Sequence, residues 1–119
     1  MTNIIIAGSR FYTNYANIKS VCDNTILLQF NRNEITIFHG GCRGVDSLAK
    51  QWADENNIKV KEYPADWNNL GRSAGPLRNE EMAKDGHILI AFYNGKSTGT
   101  ANMISQARKY KLKTLVVSI

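Results

Sequence analysis

Five short apolar runs recur along this 119-residue chain, and stretches with helical spacing lie between them. This alternation constrains the fold more than any other feature. Strands separated by helices cannot pair as tight hairpins. They lie parallel instead, and right-handed crossovers place the helices on the faces of one sheet. The first run, Asn3–Ala7, is β-branched and ends at Gly8, as a fully buried strand would. Ala16–Phe30 sets Ile18, Val21, Cys22, Thr25, Ile26, Leu28 and Gln29 at helical spacing. Ile35–His39 is the second strand. Val45–Asn56 carries Val45, Leu48, Ala49, Trp52 and Ala53 on one face and is an amphipathic helix. Ile58–Tyr63 alternates apolar and charged residues, which places it near a sheet edge. Pro64–Gly75 shows no period and reads as a long loop, with Pro76 in the first turn of a helix that reaches Lys84. His87–Tyr93 is the most apolar strand and reads as central. A loop at Asn94–Gly99, a helix at Thr100–Tyr110 with Met103, Ile104 and Ala107 inward, and a strand at Leu112–Ser118 complete the pattern.

The pattern predicts an α/β fold: a Rossmann-like three-layer αβα sandwich with a mainly parallel five-stranded sheet, in one domain over residues 1–119. At 43% apolar residues, the chain can fill the core between such layers. No apolar run approaches the roughly 20 residues of a membrane span. Ile4–Ala7 lacks the basic flank and cleavage site of a signal peptide, so a cytoplasmic location without a membrane partner is expected. Cys22 and Cys42 are in no metal-ligand spacing and read as reduced thiols; neither a metal nor a cofactor is expected. The net charge of +5, densest at Arg108, Lys109, Lys111 and Lys113, suits an anionic ligand, or serves solubility alone.

In sheets of this kind ligands bind at the carboxyl ends of the strands. Four segments at those ends carry chemistry that packing does not require. In Gly8-Ser9-Arg10, the glycine allows close approach, the serine offers a hydroxyl and an N–H, and the arginine can grip a phosphate. The plainer reading is a turn with a surface arginine. In Gly40-Gly41-Cys42-Arg43-Gly44-Val45-Asp46, glycines leading into a helix start suggest an anion site, or a tight connection with Asp46 favouring the helix start. Cys42 there is a candidate reactive thiol or a passive small residue. The third segment joins Ala65-Asp66-Trp67 to Gly71–Asn79. Asp66 can accept from a ribose or an amino group. Trp67 stacks on a base or caps the core, and Arg72 and Arg78 can meet phosphate. Arg78 otherwise pairs with Glu80 or Glu81, and Asn79 can hydrogen-bond either way. In the fourth, Gly95 and Gly99 free the backbone while Ser97, Thr98 and Thr100 offer hydroxyls and N–H groups; locally this is a helix capped by Ser97 or Thr100. His39 ends a strand beside the glycine loop and reads as structural before it reads as a ligand contact.

In this order, the four segments resemble the SLOG superfamily, named for the Smf/DprA and LOG proteins, and within it the YspA-like, YpsA-related branch of small, often bacterial or phage proteins. The matching residues are Gly8-Ser9-Arg10, Gly40-Gly41-x-x-Gly44-x-Asp46, Ala65-Asp66-Trp67 with Gly75-Pro76-Leu77-Arg78-Asn79-x-x-Met82, and Gly95-x-Ser97-x-Gly99-Thr100. The resemblance covers nearly the whole chain. It implies a modified Rossmann fold that holds a nucleotide or nucleotide sugar. It also implies a homo-oligomer, a dimer above all, since such relatives often pair. In LOG-type enzymes an arginine and a glutamate support cleavage of the N-glycosidic bond of a nucleoside monophosphate. Arg78 stands where that arginine would be. Met103 stands where the glutamate would be, and a thioether cannot do a carboxylate's work.

The leading expectation is therefore a module, a sensor or a sequestering protein, that binds a nucleoside phosphate or an NAD- or ADP-ribose-like molecule. Gly8, Ser9, Arg10, Gly40, Gly41, Arg43, Gly44, Asp46, Asp66, Trp67, Arg78, Asn79, Gly95, Ser97, Gly99 and Thr100 are its candidate contacts. The enzyme alternative is a nucleotide N-glycosidase or phosphoribohydrolase using Arg78 and Asp66, with Asp46 or Glu81 as other stand-in carboxylates. A third expectation is single-stranded DNA binding, with steeply salt-dependent affinity.

Overall fold

The computed structural model describes residues 1–119. Strands β1 (Thr2–Gly8), β2 (Ile35–His39), β3 (Lys59–Glu62), β4 (Ile88–Tyr93) and β5 (Lys113–Ser118) form one sheet in the order β3-β2-β1-β4-β5. Every neighbouring pair is parallel. β1 is the middle strand because Ile4, Ile5, Ile6 and Ala7 are all buried, and only an interior strand covered on both faces uses such a run. β4 pairs with it, one strand in from the edge, rather than at the centre. The charged β3 lies at the edge, as its Lys59, Lys61 and Glu62 require.

Helices α1 (Tyr15–Gln29) and α2 (Val45–Glu55) cover one face; α4 (Ala74–Asp85) and α5 (Thr98–Lys109) cover the other. Alternation along β1 divides its side chains between the two layers. Ile4 and Ile6 pack with Ile18, Cys22, Ile37 and Trp52, whereas Ile5 and Ala7 pack with Met82, Leu89, Met103 and Ile104. On α1 the inward leucine is Leu27, and Leu28 points to solvent.

Three segments differ from the sequence reading by more than a residue at an end. Pro64–Gly75 is not an open loop: it contains the one-turn α3 (Trp67–Leu70) and a 3-10 turn at Gly71–Ser73. α4 starts at Ala74, and Pro76 still falls within the first turn, where N–H groups lack helical acceptors in any case. α5 starts at Thr98 because Ser97 is its cap. No helix is long and apolar enough to cross a membrane.

The chain moves from β1 outward to β3, then returns across β1 to β4. The segments after β1 and β4 consequently leave toward opposite faces. A crevice opens between them at the carboxyl ends of the strands.

Candidate functional site

A cleft of about 650 Å³ occupies that crevice, a volume typical of small-molecule sites. Gly8, Ser9, Arg10, Asp46, Trp67, Arg78, Asn79, Ser97, Gly99 and Thr100 line it. Gly40, Gly41, Arg43, Gly44, Asp66 and Gly95 do not contribute to its lining. No three His, Cys, Asp or Glu side chains converge as metal ligands would.

The glycine loop between β2 and α2 turns its N–H groups inward. Those of Gly40 and Cys42 donate to Asp46 Oδ2 at 3.1 and 3.2 Å. The Gly41 N–H donates to His39 Nδ1 at 3.0 Å, and the Val45 N–H to the Ser9 carbonyl at 3.1 Å. The loop is thus a joint that locks the β1 segment to α2, with these donors already taken by protein. Gly44 makes the joint possible. Its φ is +73°, and a Cβ there would overlap the Ser9 carbonyl oxygen and lie 2.5–2.6 Å from the Arg10 backbone. His39 lies buried beneath this loop, with burial pushing its imidazole toward the neutral form and Nε2 making no hydrogen bond.

Asp46 is buried yet lines the cleft. Burial pushes its carboxyl up to about 6, against the opposing pull of the Cys42 N–H, the Arg78 guanidinium and the Gly40 N–H. The folded protein therefore holds this proton to higher pH than the unfolded chain, whose ordinary value is near 3.8. Stability from this group is full below the unfolded value and lost as pH rises toward about 6. Asp46→Asn keeps an oxygen for both N–H groups and cannot titrate. Between these two pH values, wild type is expected to lose about 2 kcal/mol relative to Asp46→Asn. Urea unfolding of both proteins at each end of the window checks this; parallel curves would show that Asp46 does not titrate there.

Arg78 is a strap. Its Nη1 donates to the Gly40 carbonyl at 2.6 Å and the Tyr63 carbonyl at 3.3 Å, and its Nε donates to Asn79 Oδ1 at 2.9 Å. Asn79 Nδ2 in turn donates to Asn102 Oδ1 at 2.9 Å and the Gly99 carbonyl at 3.3 Å. The pair joins the ends of β2 and β3 to α4 and the start of α5. Glu80 is not its partner: it accepts from Lys109 at 3.2 Å and the Tyr110 hydroxyl at 2.8 Å. Asp66 is exposed and caps α3, accepting from Asn69 Nδ2 at 3.0 Å and the Asn69 N–H at 3.4 Å. Met103 is buried against the cleft, and Asp46 is the carboxylate that lines it.

The start of α5 remains open to the cleft. Asn94 Oδ1 accepts from the Lys96 and Ser97 N–H groups at 2.8 and 2.9 Å, and Ser97 Oγ from the Thr100 N–H at 3.3 Å. By their position in the first turn, the Thr98 and Gly99 N–H groups have no helical acceptor. The helix dipole adds positive potential there. Arg10, Arg72 and Lys96 line the same cleft. Trp67 does not cap the core: it is 55% exposed at the cleft. Sequence reasoning missed Phe11 and Lys96. Lys96 sat inside the Asn94–Gly99 loop and Phe11 directly after Gly8-Ser9-Arg10, neither with a pattern to mark it.

Comparison with known proteins places these features in a lineage. The model of the YspA, cpYpsA-related SLOG family (YAcAr) matches residues 2–69. That span includes β1 to β3, the glycine loop and Trp67. The Gene 61 protein of Mycobacterium phage D29 is 31% identical over 115 residues, covering 92% of this chain and 90% of that protein. In three dimensions, DNA processing protein A (DprA) from Streptococcus pneumoniae shares the fold, with a TM-score of 0.78 over 98% of this chain at 16% identity. The chain spans 50% of that DprA chain.

Proposed function

The chain belongs to the YspA, cpYpsA-related SLOG family, and from that premise we propose that residues 1–119 act as one module whose cleft binds a nucleotide or nucleotide-derived ligand. SLOG domains generally bind such ligands. The observation that carries the reading is the open start of α5, with the unpaired Thr98 and Gly99 N–H groups, on the same cleft as Arg10, Arg72 and Lys96. An anionic phosphate satisfies these donors and meets the positive end of the helix. At the β2–α2 joint the Gly40, Gly41, Cys42 and Val45 N–H groups already donate to Asp46, His39 and Ser9, so the phosphate docks at α5.

Incubation with a panel of nucleoside phosphates, followed by thermal denaturation and mass spectrometry, tests this reading. A ligand is expected to raise the melting temperature and to be recovered intact. Arg72→Ala is expected to weaken its binding roughly tenfold, the scale of one charge-assisted hydrogen bond. Arg72 makes no hydrogen bond or ion pair within the protein, so the variant should melt as wild type does. A panel without any shift would refute the reading.

A second reading has one observation in its favour. Asp46 lines the cleft and keeps its proton to about pH 6, so it could serve as a general acid toward a departing base. The same mass spectra decide: free base and ribose phosphate would appear, and Asp46→Asn would abolish them.

A further inference from the structure

The distribution of exposed aromatic rings carries the reading of the cleft further. Phe11 is 75% exposed and Trp67 is 55% exposed. The other large apolar side chains exposed on the molecule are aliphatic, such as Leu28, Leu77 and Leu115. Both exposed rings line one cleft, yet they arrive on separate segments, one after β1 and one after β3.

Each ring has a protein neighbour on one side and a face open to the cleft on the other. The Phe11 N–H donates to Ser9 Oγ at 3.1 Å, and the Arg10 guanidinium lies 5.5 Å from the ring centroid. Trp67 opens α3, and its benzene edge rests on Gly75, where a Cβ would come within 3.1 Å of the ring. A water-facing aromatic ring in a cationic cleft is a stacking platform for a base. Two rings on separate segments can each take a base of its own, and a cleft of about 650 Å³ is roomier than one mononucleotide needs.

We propose that the cleft takes a ligand with two nucleobases joined through phosphate: one base on Trp67, the second on Phe11, and the phosphate at the start of α5. This rests on the nucleotide reading above. Stacking tolerates any base because every base has a π face, so the rings count bases rather than identify them. A 5′–5′ dinucleotide and a 3′–5′ step of a strand both have this chemistry.

Calorimetric titration of the full chain with ADP, diadenosine 5′,5′-diphosphate and the 3′–5′ dinucleotide of deoxyadenosine tests the proposal. At least one two-base probe is expected to bind about tenfold tighter than ADP, and the preferred linkage identifies the source. Phe11→Ala should remove most of that gain, about tenfold, while leaving ADP within twofold. Trp67→Ala should weaken both classes. Both side chains are exposed, so the variants should melt as wild type does. Trp52 is fully buried, with Nε1 on Asp23 at 2.9 Å, so fluorescence quenching by the probes should vanish in Trp67→Phe. Two-base probes no tighter than ADP, or a Phe11→Ala loss equal for ADP and the two-base probes, would overturn the two-base proposal and leave the nucleotide reading standing. If none of the probes bound, both would fall.

Discussion

Replacing Gly44 by alanine is expected to lower the unfolding free energy by about 4 kcal/mol and the melting temperature by roughly 15 °C. Two costs combine. With φ +73° and ψ −128°, the backbone lies where an L side chain is strained. The new methyl group would also meet backbone rather than a yielding side chain, lying 2.5–2.6 Å from Arg10 atoms and overlapping the Ser9 carbonyl oxygen. Relief requires the segment after β1 to move off α2, which breaks the Val45 N–H bond to Ser9. That motion also displaces Arg10 and Phe11 from the cleft, so ligand binding should fail well below the melting point. Chemical denaturation and titration at low temperature check both halves. A loss under about 1 kcal/mol would show that the joint yields easily.

Arg78→Ala is expected to cost about 3 kcal/mol, or roughly 10 °C, with or without a ligand present. The guanidinium bonds the carbonyls of Gly40 and Tyr63 and the side chain of Asn79, and its charge favours ionised Asp46. Alanine leaves the Gly40 carbonyl short of a donor and Asp46 short of a nearby cation. Lysine should restore only part of the loss, because a single ammonium cannot reproduce a planar fork of donors. Thermal melts of Arg78→Ala, Arg78→Lys and Arg72→Ala separate strapping from ligand contact. If Arg78→Ala melted like Arg72→Ala, the strap would carry no stability.

The layered fold was legible because its signals are local and periodic. Four consecutive buried residues in β1 and the charged alternation of β3 reveal interior and edge without knowledge of the partners. The short turns inside Pro64–Gly75 were not legible: α3 is too brief to show a period, and its cap Asp66 looked like chemistry. Leu27 and Leu28 are adjacent, so spacing alone did not decide which faces inward. The glycine loop shows the deeper limit. Its composition correctly indicated tight geometry and inward or outward N–H groups alike. What settles the direction is Asp46 reaching back to Gly40, and the Ser9 carbonyl arriving from another strand. Exposure was equally invisible for Phe11, since no periodicity governs a residue in an irregular segment. Trp67 left base stacking and core capping open until its place at the cleft excluded the core.

The pairing of β1 with β4 also bears on the moment at which the cleft comes into being. Of the five strands β1 is synthesised before the others, and β2 can join it early, through Ile4 beside Ile37. Its other edge must wait for β4, where Ile4 lies beside Ile88. Until then the apolar edge of β1 has no neighbour, and the crevice between the two strands does not exist. Such distant pairing slows folding and prolongs the exposure of aggregation-prone strand edges. A nascent chain released before β4 would carry Arg10, Phe11 and Trp67 and still have nowhere to put a ligand.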